Sequence, residues 1–268
     1  MKKLMSVLLV FTLLLTSAFA LASCGKGGDE PTGDLATITA DGKLVVGITD
    51  YAPMDYKDEN GKWIGFDAEL AEMFAESLGV TCEFVEIDWD AKVSELNTKQ
   101  IDLIWNGMTA SDELGTKIDF SVSYAKNAQV AVVKKGSGIT KDTVATASVA
   151  VEGGSAGETT ANEVIKPSKV NVAENQVAAL LEVLAGTSDV AVVDITMAQN
   201  VVGKGQYEGL EVVEGATYGD EIFAVGLRQG SDLKGTLDTF LKAKYADGTI
   251  TGLAEKYNVG INEEALGA

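Results

Sequence analysis

The sequence predicts an α/β protein of two small lobes facing each other across a cleft, each lobe a mainly parallel sheet flanked by helices. Three observations carry that expectation. Short apolar runs alternate with stretches of helical periodicity, an order that calls for parallel strands with helices on the sheet faces. The alternation restarts midway along the chain. In both halves, polar segments containing glycine follow directly on strands, where open α/β sheets bind ligands.

The amino terminus comes first. Lys2 and Lys3 precede an apolar run from Leu4 to Ala20, too short and wrongly flanked for a permanent span, and Leu21-Ala22-Ser23-Cys24 follows it. Residues 1–23 therefore resemble a lipoprotein signal peptide, with Cys24 the residue lipidated after cleavage; an ordinary signal peptide ending near a cysteine is the alternative. Several acyl chains would hold a domain at the membrane surface where one holds weakly. Residues 24–40, opening Gly25-Lys26-Gly27-Gly28-Asp29-Glu30-Pro31, are read as a flexible tether with too little apolar content to fold. No other segment is long and apolar enough to cross a bilayer. The expected location is extracytoplasmic, lipid-anchored, on the periplasmic or outer face.

Leu44 to Ile48 reads as the first strand, and Phe66, Leu70, Phe74 and Leu78 recur at helical spacing before Gly79, a natural stop. Thr81 to Ile87 alternates as a strand. Within it Cys82, partnerless once Cys24 carries lipid, is expected to be a small buried residue. Asp90 opens a helix with Val93 and Leu96 inward, Ile101 to Trp105 is apolar, and Gln129 to Val133 forms a further strand. The second set comprises Val149 to Val151, a helix from about Gly157, Val170 to Val172, a helix with Val177, Leu180, Leu181 and Leu184 inward, and Val190 to Val193.

Composition removes several functions. Forty acidic against 21 basic residues give a formal charge of -19, which argues against nucleic acid and against adhesion to anionic lipid. Without histidine there is no histidine-based triad or imidazole metal site. No cysteine pair could hold zinc and no phosphate-binding loop is present. No cofactor or metal is expected.

A series of motifs then gives the chain a context. Tyr51-Ala52-Pro53-Met54-Asp55-Tyr56 is followed by the turn-forming Asp58-Glu59-Asn60-Gly61-Lys62 and by Gly65-Phe66-Asp67-Ala68-Glu69-Leu70. Next come Asn106-Gly107-Met108-Thr109-Ala110-Ser111-Asp112-Glu113-Leu114, Lys117-Ile118-Asp119-Phe120-Ser121 and Gly153-Gly154-Ser155-Ala156-Gly157-Glu158. Asp194 closes an apolar strand, and Ala246-Asp247-Gly248-Thr249-Ile250 lies between helical stretches. From about Lys43 to Val259 the series resembles the amino-acid-binding proteins of ABC importers, the bacterial extracellular solute-binding proteins of family 3, with a periplasmic-binding-protein type 2 fold. The resemblance implies two hinge crossings, near Tyr124 to Ala128 and Tyr218 to Ile222. Residues 41–128 and 219–268 would then form lobe 1, and 129–218 lobe 2. It further implies a binding protein and no enzyme, a monomer that closes over a small amine-bearing solute, most naturally an amino acid or derivative, and presents it to ABC permease subunits.

An amino acid needs an acceptor for its ammonium, donors for its carboxylate and a pocket for its side chain. Asp194, at a strand's carboxyl end, is the ammonium candidate; the alternative is an N-cap of the helix Ile195 to Val202. The resemblance adds the loop Asn106, Gly107, Met108 and Thr109, with carbonyls near Gly107 assisting. For the carboxylate, Thr109 offers a hydroxyl and an amide. Ser155 has the form of a capping box with Glu158, which leaves Ala156 and Gly157 amides for an anion. The aromatic candidates are Tyr51, Trp89 and Trp105, a tryptophan at a strand end being core in the alternative; the resemblance implies that Tyr51 and Trp89 sandwich the ligand's side chain, and such rings could equally hold a cation.

One position departs from the family. Leu114 stands where these proteins normally carry an arginine, and leucine supplies neither the charge nor the fork. Loss of such a partner commonly costs about 2 to 5 kcal/mol. Lys117 could substitute only by reaching back. Glu152, Asp50 and Asp55 are each read as solvated loop residues, yet with Leu114 and Asp194 they suit a positive ligand. The alternatives are a cationic amine lacking a free carboxylate, a ligand-sensing receptor module, and a cyclohexadienyl-type dehydratase with Glu152 as general acid.

Overall fold

The computed structural model describes residues 32–268. The expected signal peptide, the lipidation at Cys24 and tether residues 24–31 lie outside the described residues. No helix among the described residues is long and apolar enough to cross a membrane.

Strand β1 (Lys43–Ile48) leads through a small antiparallel hairpin, β2 (Tyr56–Lys57) and β3 (Trp63–Ile64), to the helix Phe66–Ser77 and β4 (Thr81–Glu86). Asp58 builds the hairpin turn by accepting the amides of Asn60 and Lys62 at 2.8 and 2.9 Å. The helix buries Phe66, Leu70 and Phe74, the face its spacing predicts. Strands β5 (Leu103–Ile104) and β6 (Asp119–Phe120) follow, and then β7 (Ala125–Lys134) opens the second half. There β8 (Ser148–Glu152), β9 (Lys169–Ala173) and β10 (Val190–Asp194) are separated by helices, and the long β11 (Leu210–Phe223) leads back to β12 (Gly226–Leu227).

The result is two five-stranded sheets, ordered β4-β1-β5-β12-β6 and β11-β7-β10-β8-β9. Both are mixed: β12 runs antiparallel to β5 and β6, and β7 runs antiparallel to β10 and β11. Strands β7 and β11 pair from Leu210↔Lys134 to Phe223↔Ala125, with register shifts between Val212 and Thr217 and between Tyr218 and Glu221. The two segments expected as crossings thus lie side by side as paired strands rather than loops.

Three local expectations are corrected. In the helix Gln176–Ala185, Leu180 is buried but Leu181 is 44% exposed, because consecutive helical residues point about 100° apart and only one can face the core. Asp88, two residues before the expected Asp90, caps the turn at Trp89–Ala91 by accepting the Asp90 amide at 3.1 Å. Cys82 is half-buried, and burial pushes its thiol up to about 12.

The tether expectation fails for residues 34–40, which lie in the helix Asp34–Asp41. Its anchor is nearly two hundred residues away in sequence, which is why local composition misses it. Arg228, the only arginine in the chain, places Nε 3.0 Å from both Asp34 oxygens and Nη2 3.2 Å from Asp102. Its Nη1 donates to the carbonyls of Leu96 and Ile101 at 3.0 and 2.7 Å. Ile38 on the same helix is fully buried.

Candidate functional site

The two sheets face each other across a small cavity. Of the residues singled out in the sequence, Tyr51, Trp89, Asn106, Gly107, Thr109, Ser155, Ala156 and Asp194 line it. Met108 and Leu114 do not. Met108 is buried in an apolar cluster with Ile104 and Ile118, and Leu114 covers the same cluster from the short helix Asp112–Gly115. An apolar side chain gains more from that cover than from facing a polar cavity. Trp105 is core, tilted against Phe74 and Tyr124. Lys117 does not reach back, since its ammonium pairs with Glu113 at 2.8 Å on the surface.

Buried carboxylates hold the loop around Gly107. Asp67 accepts the Gly107 amide at 2.6 Å and the Tyr124 hydroxyl at 2.8 Å. Asn106 donates to the Thr49 carbonyl at 3.1 Å and to Asp55 at 2.7 Å, and accepts the Thr49 hydroxyl at 2.8 Å. Asp55 is fully buried rather than a solvated loop residue. Burial pushes Asp67 up to about 7, and burial together with the Asp67 charge holds Asp55 well above the usual carboxylate range.

Gly107 sits at φ 54°, and a Cβ there would lie 2.6 Å from Cε1 of Tyr51 and 3.2 Å from the Phe223 ring. We expect Gly107→Ala to push Tyr51 into the cavity, lowering stability by about 1–3 kcal/mol and ligand affinity with it. Urea unfolding and a binding titration on the same variant check both effects.

Asp194 stands at the N-cap position of the helix Ile195–Val201, but its side chain makes no capping bond. It is buried among neutral amides, with Gln129 2.6 Å from Oδ1, Asn127 donating to the same oxygen and Gln176 donating to Oδ2. The Gln176 side-chain oxygen accepts the Asp194 amide at 2.9 Å. Burial raises Asp194 to about 6, with the charge of Glu221 adding to it. Glu221 on β11 accepts Asn127 at 2.7 Å, Gln129 at 3.0 Å and the Thr109 hydroxyl at 2.9 Å. That last bond takes the hydroxyl that Thr109 was expected to offer a ligand carboxylate.

At the other wall, Ser155 accepts the Glu158 amide at 3.1 Å and donates to the Glu152 carbonyl at 2.8 Å. The reciprocal bond of the expected capping box shifts by one residue, with Glu158 accepting the Gly154 amide at 2.8 Å. First-turn amides have no acceptor within their own helix, so the backbone at Ala156 and Gly157 keeps anion-binding capacity. Glu152 also lines the cavity and is 3% exposed, not solvated. Burial pushes it up to about 8, with Asp194 adding and Lys92 opposing.

Several partners carried no clear sequence signal. Lys92 would ordinarily be a surface lysine, yet it is 4% exposed, and its Nζ donates to the Trp89 carbonyl at 3.0 Å and, across the cavity mouth, to the Gly154 carbonyl at 2.8 Å. The same ammonium lies 4.9 Å from the centre of the Trp89 ring. Asn127 and Gln129 could have been noticed as polar residues in an otherwise apolar strand. Gln176 and Glu221 are brought in only by the tertiary fold.

The description Bacterial extracellular solute-binding proteins, family 3, matches over residues 44–260. The L-cystine-binding protein TcyJ of Escherichia coli (strain K12) is 30% identical over 224 residues, 81% of this chain and 82% of that one. The arginine-binding extracellular protein ArtP of Bacillus subtilis (strain 168) is 28% identical over 261 residues, 92% of this chain and 97% of its own. Among solved structures, a Streptococcus pneumoniae ABC uptake transporter substrate-binding protein with bound histidine superposes with a TM-score of 0.77 at 28% identity, covering 85% and 97% of the two chains. The ancestral amino acid-binding protein AncCDT-1, a precursor of cyclohexadienyl dehydratase, does so with a TM-score of 0.77 at 33% identity, covering 83% and 98%.

Proposed function

The chain belongs to the bacterial extracellular solute-binding proteins, family 3, and from that premise we propose that it captures a small amine-bearing solute, an amino acid or derivative, in the cavity around Asp194. The observation that carries the reading is Asp194 itself. Its carboxylate is buried at the end of β10, oriented by neutral amides and, among the described residues, unpaired with any cation, so an arriving ammonium is its charge partner. Tyr51 and Trp89 supply aromatic walls, and the backbone at Ala156 and Gly157 supplies donors for a carboxylate.

Lobe closure about β7 and β11, delivery to an ABC permease and anchoring through Cys24 complete the proposal. The paired strands and the Lys92 contact across the mouth support the first of these. A second reading is favoured by one observation: Leu114 lies outside the cavity, and the single arginine is committed at Arg228, so no guanidinium is at hand for a free carboxylate. The ligand would then be a cationic amine without one. A thermal-shift screen of natural amino acids beside matched amines and amides separates the readings, since binding raises apparent stability by mass action. Shifts with ordinary amino acids are expected on the first reading and shifts with carboxylate-free amines alone on the second. No shift with any amine would defeat both.

A further inference from the structure

We propose that the ligand carries a second cationic group besides the amine seated on Asp194, and that Glu152 is its acceptor. The inference rests on the amine-capture reading of this cavity and specifies its substrate class. Glu152 ends β8 as Asp194 ends β10, and the two strands run parallel with Val190↔Val149 and Ala191↔Ala150 in register. The two carboxylates therefore leave the same end of neighbouring strands, whose axes lie about 5 Å apart. Both line the cavity. Asp194 has three amide donors, whereas Oε1 of Glu152 is buried without a hydrogen-bond partner among the described residues. A buried carboxylate oxygen left unpaired is costly, and a donor from the ligand removes that cost.

Among the described residues no cation is placed to do so. The side chains bearing on Glu152 are Asp194 from β10, Gln176 from the helix that follows β9, and Asp88 and Lys92 from the opposite wall. Lys92 already donates to two carbonyls and does not line the cavity. A monoamine with a neutral tail would satisfy Asp194 and leave Glu152 as it is. A molecule with two separated cationic groups, such as a diamine, a guanidino compound or a basic amino acid, satisfies both.

Proton balance gives an independent readout. With its pKa near 8, Glu152 holds a proton at pH 7 in the empty site. On binding, the carboxylic acid becomes a carboxylate paired to the ligand cation, and the proton goes to the buffer. Calorimetric titration of the full chain with L-arginine and with L-citrulline, which replaces the guanidinium by a neutral urea, tests the inference. Wild type should bind arginine about a hundredfold more tightly than citrulline. It should release about one proton per site, read by comparing buffers of different ionisation enthalpy. Glu152→Gln should shrink the preference to less than about tenfold and abolish the release. Equal affinities in wild type, or an unchanged preference in the variant, overturn the proposal. The wild-type comparison decides even if the variant folds poorly. If neither probe binds while a simple monoamine does, a diamine without a carboxylate decides: binding no tighter than the monoamine shows the second cation to be wrong with amine capture standing, and tighter binding upholds it; if no amine binds, both fall.

Discussion

Asp194→Asn lowers affinity for a monoamine probe by about thirty to several thousandfold, the equivalent of the roughly 2 to 5 kcal/mol lost when one partner of a buried charge pair is removed. The amide keeps the size of the carboxylate but cannot neutralise an ammonium. It also turns a donor toward Asn127, Gln129 and Gln176, all of which donate to Asp194. Fold stability should suffer much less than affinity. The carboxyl is raised to about 6 by burial first and Glu221 second, so its ionised form opposes folding. A group raised in this way contributes most when protonated, and that contribution is lost as pH climbs from its unfolded value near 3.8 through about 6. Binding has the opposite sign, because an ammonium needs the ionised form. Affinity for a monoamine should fall about tenfold per unit once pH drops below about 6. Asp194→Asn should flatten that limb. Calorimetry between pH 5 and 8, with urea unfolding of the same samples, checks both signs.

Arg228→Ala should destabilise the fold by about 3–5 kcal/mol, the range found when one member of a buried ion pair is removed. Its side chain and that of Asp34 are each 11% exposed, so solvent screening discounts little. The loss takes from Asp34, Asp102 and the carbonyls of Leu96 and Ile101 the donors that the guanidinium supplies. Burial would push Asp34 up, but its hydrogen bonds and the Arg228 charge hold it below the usual carboxylate value. That share of stability is present above the unfolded pKa and disappears as pH falls through the lowered folded one. The variant should lose this acid-side dependence together with its stability at pH 7. Arg228→Met with Asp34→Leu, which removes both charges, should recover part of the loss. Urea unfolding at pH 4 and pH 7 measures all of this, and an unchanged midpoint for Arg228→Ala would show the cluster to be unimportant.

The sequence made the fold legible because both halves repeat one local rule, apolar strands alternating with periodic helices, and local rules are visible in one dimension. Most of the cavity-lining residues singled out there do so for a similar reason: they lie at the ends of strands or just after them, and open α/β sheets gather such positions at one end. Leu114 was misplaced because its position was inferred from an arginine, which reaches a polar cavity, whereas leucine packs against the apolar cluster that holds Met108 and Ile118. Glu152 and Asp55 looked solvated because nothing nearby in sequence pairs with them. Their burial is set by β10, by Asn106 and by Asp67, from distant parts of the chain. Gln176 and Glu221 were invisible for the same reason, since side chains without a motif acquire a role only through tertiary register.

The bond from Lys92 to Gly154 constrains how the contact between these two segments can change in sequence. Its acceptor is a main-chain oxygen, which every residue possesses. Position 154 is itself nearly fixed, because its φ is 66° and a Cβ would lie 2.8 Å from the Cα of Asp90. Drift in the second sheet's loop therefore has no gentle way to weaken this contact: a change there either leaves the acceptor intact or disturbs the approach of the two walls altogether. Graded adjustment is open only at position 92, where a shorter, uncharged or bulkier side chain can be tried while the wall opposite stays as it is. Natural variants that differ in how tightly these two segments are held together should carry their differences at that lysine, and the glycine should stay unchanged among them.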